Sequence, residues 1–330
     1  MLNVARYCQS VLCALLCMLA AAPAWAENIN VWVVLSEDSA PYRSFAETFK
    51  KDLPASVQVS VLESPDSLSS SLSSPPKSPV DLIVAVGMKA TEAAAAQTRV
   101  PVLAVMVPKV AYEALLAQLA QQKIARSISA IYLNQPWARR INFWQAVSPT
   151  RLRIGLLHTQ ALDKEITHRQ QALERRGGIL VTQLVNTPEE LFVKLENVLA
   201  NSDVLFALSD SMIYSNGNIR HILLASYRRG IPLVGLSQAY VNAGALCAIF
   251  STPEQLAVQA QETTLAFAKT QSLPPPQHPT DFTIAANEQV ARSLKIELPA
   301  VDVIRSRMEK IASPPSAVIS PEGKVKERRN

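Results

Sequence analysis

Between residues 203 and 250, two short apolar runs break off into clusters of hydroxyl, carboxylate and amide side chains. Residues 204–208 (VLFAL) give way to Ser209, Asp210 and Ser211, and residues 232–236 (PLVGL) to Ser237 and Gln238, each followed by helical spacing. Apolar runs that do not alternate with polar residues belong in strands covered on both faces, as in parallel sheets. A buried strand that stops at polar residues beside a helix start is how an α/β domain presents a ligand site. Residues 81–87 (DLIVAVG), followed by Met88, Lys89, Ala90 and Thr91, repeat the unit in the first half of the chain. One such region in each half points to two lobes and a cleft.

The same alternation runs along the whole chain. Strands are expected at 29–35, 57–62, 81–86, 100–107, 128–133, 153–157, 179–184, 204–208 and 233–236. Helices are expected at 41–51, 89–97, 110–123, 136–147, 162–176, 189–199 and 219–228. The Ser- and Pro-rich stretch 64–79 holds at most a short helix, with a loop in its second half. Right-handed crossovers then give the fold class: α/β, in two doubly wound parallel-sheet lobes. Periodicity leaves open where the chain crosses between the lobes.

Residues 1–26 read as a cleaved secretory signal. Arg6 precedes an apolar run at 11–22, and Ala24-Trp25-Ala26 fits small-x-small cleavage. The run is short of the ~20 residues a membrane span needs, which disfavours a retained anchor. An exported protein starting near Glu27 is the expectation. Cys8, Cys13 and Cys17 leave with the signal, so Cys247 stands alone in an apolar run, with no disulfide and no cysteine metal site. It reads as a small buried hydrophobe and not as a reactive thiol. The net charge of +5 owes much to Lys324, Lys326, Arg328 and Arg329, in a basic tail (311–330) expected to be disordered. Aromatic residues are not interleaved with basic ones, which argues against nucleic acid.

Signals for chemistry are missing. The four histidines, His158, His168, His221 and His278, lack zinc spacing. The surroundings of Ser237 (VGLSQAY) are not G-x-S-x-G, and Gly87 stands without a phosphate-cradling loop. No catalytic residue, metal or cofactor is expected. Helical patterns at 137–147 and 256–267 read as core-facing. The pairs Arg139-Arg140 and Arg228-Arg229 read as solvated helix ends.

A resemblance rests on DLIVAVGMKA followed by RVPVLAVMV, and on SAIYLNQPWARRINFWQAVSPTRLRIGLLH. It continues through the 203–250 stretch and closes on PPPQHPTDFTIAANEQVARSLKIELP. Over roughly residues 29–299 the chain resembles the periplasmic substrate-binding proteins of ABC transporters, in the tryptophan/tyrosine-type subgroup. The resemblance implies a type I periplasmic-binding-protein fold, with three crossings near 127–132, 244–251 and 279–282. Lobe one is then 27–127 plus 252–277. Lobe two is 129–243 plus 281–299, and 300–330 forms a C-terminal helix and the basic tail. Family members commonly carry Asp-Pro after the fourth strand and a later Gly-Gly-Asn turn. Here Val107-Pro108-Lys109 and residues 123–127 replace them, so an aromatic amino acid does not follow as ligand.

The implied function is capture of a small polar solute, amino-acid-like by preference, by a periplasmic monomer that a membrane ABC permease reads in its closed state. A periplasmic sensor or accessory subunit using the same cleft, and less readily an exported hydrolase, are the alternatives. Candidate ligand contacts in lobe one are Ser36 and Asp38, then Gly87, Met88, Lys89 and Thr91 as a carboxylate seat at a helix start, and Pro108 with Lys109. Lys89 either adds charge there or faces water. Lobe two offers His158, as a ligand contact or a loop histidine, and Ser209, Asp210 and Ser211. Asp210 either receives a ligand ammonium or caps the next helix. Ser237, Gln238 and Tyr240 complete the set. Tyr42, Tyr214 and Tyr240 either flank the ligand or fill core.

Overall fold

A computed structural model describes residues 28–73 and 79–312. The expected signal segment, the second half of the 64–79 stretch (residues 74–78) and the tail from residue 313 lie outside the described residues.

The first sheet is built from β1 (Ile29–Leu35), β2 (Val57–Leu62), β3 (Leu82–Val86), β4 (Val102–Val107) and β5 (Ile128–Tyr132). All pairs are parallel, in the order β2-β1-β3-β4-β5. Every side chain of β3 (LIVAV) is buried, which is why this run carries no alternation. One face is covered by α1 (Ala40–Lys50), where Phe45 and Phe49 stack at 5.9 Å, and by α10 (Pro253–Thr270), a helix that arrives from far along the chain. Leu256, Ala257, Ala260 and Phe267 of α10 close this core. The other face carries α2 (Pro65–Ser73), α3 (Met88–Gln97) and α4 (Lys109–Gln121).

The second sheet contains β6 (Arg153–His158), β7 (Ile179–Leu184), β8 (Val204–Phe206), β9 (Leu233–Gly235), β10 (Cys247–Phe250) and β11 (Thr283–Ala286). Its order is β11-β10-β9-β8-β6-β7, parallel except for the β10–β11 pair. Helices α6 (Asp163–Glu174), α7 (Leu191–Leu199), α8 (Ile219–Arg228) and α9 (Gln238–Asn242) join its strands, α5 (Trp137–Val147) leads into β6, and α11 (Glu288–Ser293) follows β11. The last helix, α12 (Val301–Ala312), seats Ile304 and Met308 in the second core, and Arg307 Nη1 donates to Ala146 O of α5 at 3.0 Å. Cys247 is buried in this core, and burial pushes its thiol pKa up.

Three segments link the sheets, and they tie to one another. β5, expected to open the first crossing at 127–132, is the edge strand of the first sheet, so the crossing is residues 133–136. The boundary moves because Val105 and Val107 of β4 hold Ile131 and Tyr132 in register. The second crossing is residues 251–252, between β10 and α10; half of the expected span 244–251 is β10 itself. The third follows Gln277, which pairs with β5 through Tyr132 N to Gln277 O (2.9 Å) and Gln277 N to Ala130 O (2.8 Å). Gln135 Nε2 donates to Ser251 Oγ at 2.7 Å, Ser251 donates onward to Asp281 O at 2.5 Å, and His278 Nδ1 donates to Asn134 O at 2.8 Å.

Two local expectations change. Ser209, Asp210 and Ser211 do not open a helix: Oδ1 of Asp210 accepts from the amides of Met212 and Ile213, closing a turn, and α8 starts only at Ile219. This is the local side-chain-to-backbone bonding that lets Asp compete with helix formation. Arg140, read as a solvated helix end, is buried.

Candidate functional site: the interlobe cleft

Where the sheets run out at the crossings, a cavity of about 950 Å³ opens between the lobes. The first lobe contributes Pro41, Met106, Pro108, Lys109, Val110 and Pro253. The crossings contribute Leu133, Asn134, Gln135, Ser251 and His278. The second lobe supplies the rest, from α5, α6 and the ends of β8, β9 and β10. Most of the wall is apolar, with a few convergent polar groups, as in a small-molecule site.

Met106 reaches the cavity through a bulge. The pairing of β4 with β5 skips from Val105 to Val107, and Met106 takes φ 59. That left-handed conformation is costly for a residue with a side chain, and bulges of this kind re-aim a side chain beside a site. Next to it, Pro108 precedes α4, and Lys109 N donates to Asn134 Oδ1 at 2.8 Å. Asn134 Nδ2 donates in turn to Ser209 Oγ at 2.9 Å, so one amide side chain joins the first-lobe helix to a second-lobe strand end.

Among the fifteen residues expected from sequence, Pro108, Lys109, Ser209, Ser237, Gln238 and Tyr240 line this cavity. The others stand elsewhere. Ser36 Oγ accepts from Ala90 N at 3.0 Å, so a hydroxyl of the protein itself occupies the helix start read as a carboxylate seat. Gly87 sits at φ 87, and a Cβ there would lie 2.6 Å from both Ser36 Oγ and Tyr42 Oη. Thr91 is buried, its hydroxyl donating back to Gly87 O at 2.8 Å, while Met88 packs against the α3 and α4 side of the sheet. Lys89 is 72% exposed and 3.8 Å from Glu37. Asp38 pairs with Arg43 at the surface.

In the second lobe, His158 is buried at the end of β6, its Nδ1 3.2 Å from Asp163 Oδ1. It is therefore neither a cleft residue nor a loop histidine. Asp210 is consumed by the turn described above and by the Thr159 hydroxyl at 2.7 Å, and Ser211 is exposed. Tyr214 is core, donating to Phe206 O at 3.3 Å, and Tyr42 backs Gly87.

The charged groups of the cavity come from α4, α5 and α6: Lys109 was among the expected contacts, Arg140 was read as a solvated helix end, and Glu165 and Arg169 were not singled out. Arg140 is 6% exposed; its Nη2 donates to Ala207 O at 2.8 Å, and its Cζ lies 4.9 Å from the Phe206 ring and 5.8 Å from Trp137. Burial, then the nearby charge of Arg169, push its guanidinium down to about 9. Arg169 stands 5.3 Å from Trp137 and binds Glu165 Oε2 at 2.5 Å through Nη2. Its Nε and Nη1 are buried with no hydrogen-bond partner among the described residues. Each such buried, unmade bond costs about 1–3 kcal/mol. Trp137 Nε1 donates to Arg169 O at 3.0 Å, which holds the indole beside both guanidiniums.

Lys109 of the first lobe meets Glu165 of the second at 2.7 Å, and Glu113 at 3.5 Å. Burial would lower the Lys109 pKa and raise that of Glu165. The hydrogen bonds and charges they share with each other and with Glu113 and Arg169 outweigh burial, so Lys109 goes up and Glu165 goes down.

The sequence signal for these residues was present. Arg140 lies three positions after Trp137 on the face that also holds Ile141 and Trp144, and Arg169 lies four after Glu165. What misled was the usual solvent preference of arginine.

A family model described as ABC transporter substrate binding protein matches residues 60–305. A search of curated proteins finds no match. Among solved structures, the chain is similar to the ligand-free, open form of a substrate-binding protein with adhesive properties from Clostridium difficile. That match has 17% identity and TM-score 0.63, covering 83% of this chain and 97% of that one. It is also similar to a conserved domain protein from Vibrio cholerae (16%, TM-score 0.59, 85% and 98% covered). A third likeness is to an ABC domain bound to L-Trp from Streptococcus pneumoniae (15%, TM-score 0.58, 84% and 98% covered). At these identities the likeness concerns the fold, which is the two-lobed type I periplasmic-binding-protein architecture. With its model matched over most of the length, the chain belongs to the ABC transporter substrate-binding protein family.

Proposed function

We propose that this protein is an exported solute-binding component that holds a small organic molecule between its lobes and presents the closed form to a membrane ABC importer. The carrying observation is the 950 Å³ cavity, walled by both lobes and by all three crossings. A ligand touching both walls favours closure in proportion to its differential affinity for the closed state. The pneumococcal relative holds L-Trp, which is consistent with a molecule of about this size.

Binding without bond chemistry accounts for the polar groups. Ser209 Oγ accepts from Asn134, and among the described residues neither Ser209 nor Ser237 hydrogen-bonds a histidine that could serve as base.

A thermal-shift screen of the purified protein over amino acids, organic acids, sugars and nucleosides tests the reading. Ligand adds RT ln(1 + [L]/Kd) to stability, so one chemical class should raise Tm, with the scattering radius falling as the lobes close. Absence of a shift from every class, or a shift with no change of radius, would remove the support for it.

A further inference from the structure

Resting on the solute-binding reading, the charge inventory of the cleft narrows the ligand. Three cations line the cavity, Lys109, Arg140 and Arg169, against one carboxylate, Glu165. Both oxygens of Glu165 are engaged, Oε1 by Lys109 and Oε2 by Arg169. Asp210, the other carboxylate considered for a ligand ammonium, is turned into its own loop. No carboxylate among the described lining residues is therefore left for a cation.

Positive charge, in contrast, is in excess. Arg140 is buried with a single side-chain hydrogen bond, to a neutral carbonyl, and aromatic faces for its other neighbours. Arg169 holds two buried nitrogens without acceptors. Buried charges are ordinarily paired, and a guanidinium N–H makes a strong charge-assisted hydrogen bond to an oxyanion. Leu133, Leu208 and Leu236 on the surrounding wall, with Trp137 beside both guanidiniums, offer an apolar surface for the body of a molecule whose acid group meets the arginines.

We infer that the cleft binds an amphipathic organic anion, an apolar body carrying a carboxylate and no ammonium, with Arg140 and Arg169 as the oxyanion-binding pair. An α-amino acid brings a positive charge for which this wall holds no free anion, so the unsubstituted acid is favoured over the zwitterion of the same skeleton.

Four probes of one skeleton test this on the intact protein by calorimetry: 3-phenylpropanoate, L-phenylalanine, phenethylamine and 3-phenylpropan-1-ol. The acid should bind tightest, by about thirtyfold or more over the alcohol, as expected for a desolvated charge pair. Arg140→Gln and, separately, Arg169→Gln should each remove most of that preference while leaving the alcohol within about threefold of its wild-type affinity. Arg140→Lys should keep part of it. If either glutamine variant fails to fold, the wild-type ranking still decides. L-Phenylalanine or the amine binding as tightly as the acid overturns the inference and leaves solute binding intact. So does capture of only uncharged or zwitterionic solutes in the broader screen. Failure of every solute in both panels overturns the two together.

Discussion

The two lobes both place polar side chains near the ends of their sheets and use them in opposite ways. In the first lobe, Ser36 meets the Ala90 amide, Thr91 bonds Gly87 O, and Lys89 and Asp38 turn to surface partners. Its strand-end groups are spent on holding α3 to the sheet. In the second lobe, Arg140 is buried on the cavity wall with one hydrogen bond, and the half-buried Arg169 keeps two nitrogens without acceptors. Polar residues at a strand end are therefore not by themselves a binding site. What distinguishes one is a donor that the protein leaves without a partner.

Substitutions can break this contrast. The largest effect is expected from Gly87→Val, where φ 87 and a Cβ position 2.6 Å from Ser36 Oγ and Tyr42 Oη forbid a side chain. Stability should fall by about 2–4 kcal/mol in urea unfolding, while the folded fraction keeps its affinity for 3-phenylpropanoate. A loss of affinity out of proportion to unfolding would return the ligand seat to the first lobe. Ser36→Ala leaves the Ala90 amide unpaired and should cost about 1–2 kcal/mol, again with unchanged affinity.

Glu165→Gln sharpens the contrast from the other side, because Glu165 joins the lobes through Lys109. The loss should be about 1 kcal/mol for a partly exposed pair. The pair also predicts a pH dependence. Glu165 is depressed in the folded state, so its contribution is present above its ordinary value of 4.5 and fades as pH falls through the lower folded value. Lys109 is raised, so its contribution is complete below 10.5 and fades as pH rises through the higher folded value. Urea midpoints of wild type and Glu165→Gln should converge under acid and stay apart near neutrality; a constant gap would contradict the pairing. The smallest effect belongs to Lys89→Ala, exposed beside Glu37, at about 0.5 kcal/mol or less with no change in binding.

The architecture was legible because non-alternating runs such as LIVAV carry their burial in their composition. Helix limits came within a few residues for the same reason, as at Ile219–Arg228. The cleft was harder to read. Sequence marks every strand end, but which ends face the opposite lobe depends on where the chain crosses. The crossing lies beyond β5 and not before it. Pro108, Lys109, Ser209, Ser237, Gln238 and Tyr240, close to the crossings, reach the cavity, whereas the β1 and β3 ends do not. Arg140 was hidden by residue type: its spacing from Trp137 placed it on the buried face, and its charge argued for water.

The late arrival of α10 bears on how the chain matures. Until residues 253–270 have been made, one side of the first sheet is covered by α1 alone, with no α10 beside Phe45 and Phe49. Contacts this distant in sequence slow folding. A nascent chain in this state keeps apolar surface open to chaperones until residues 253–270 have left the ribosome.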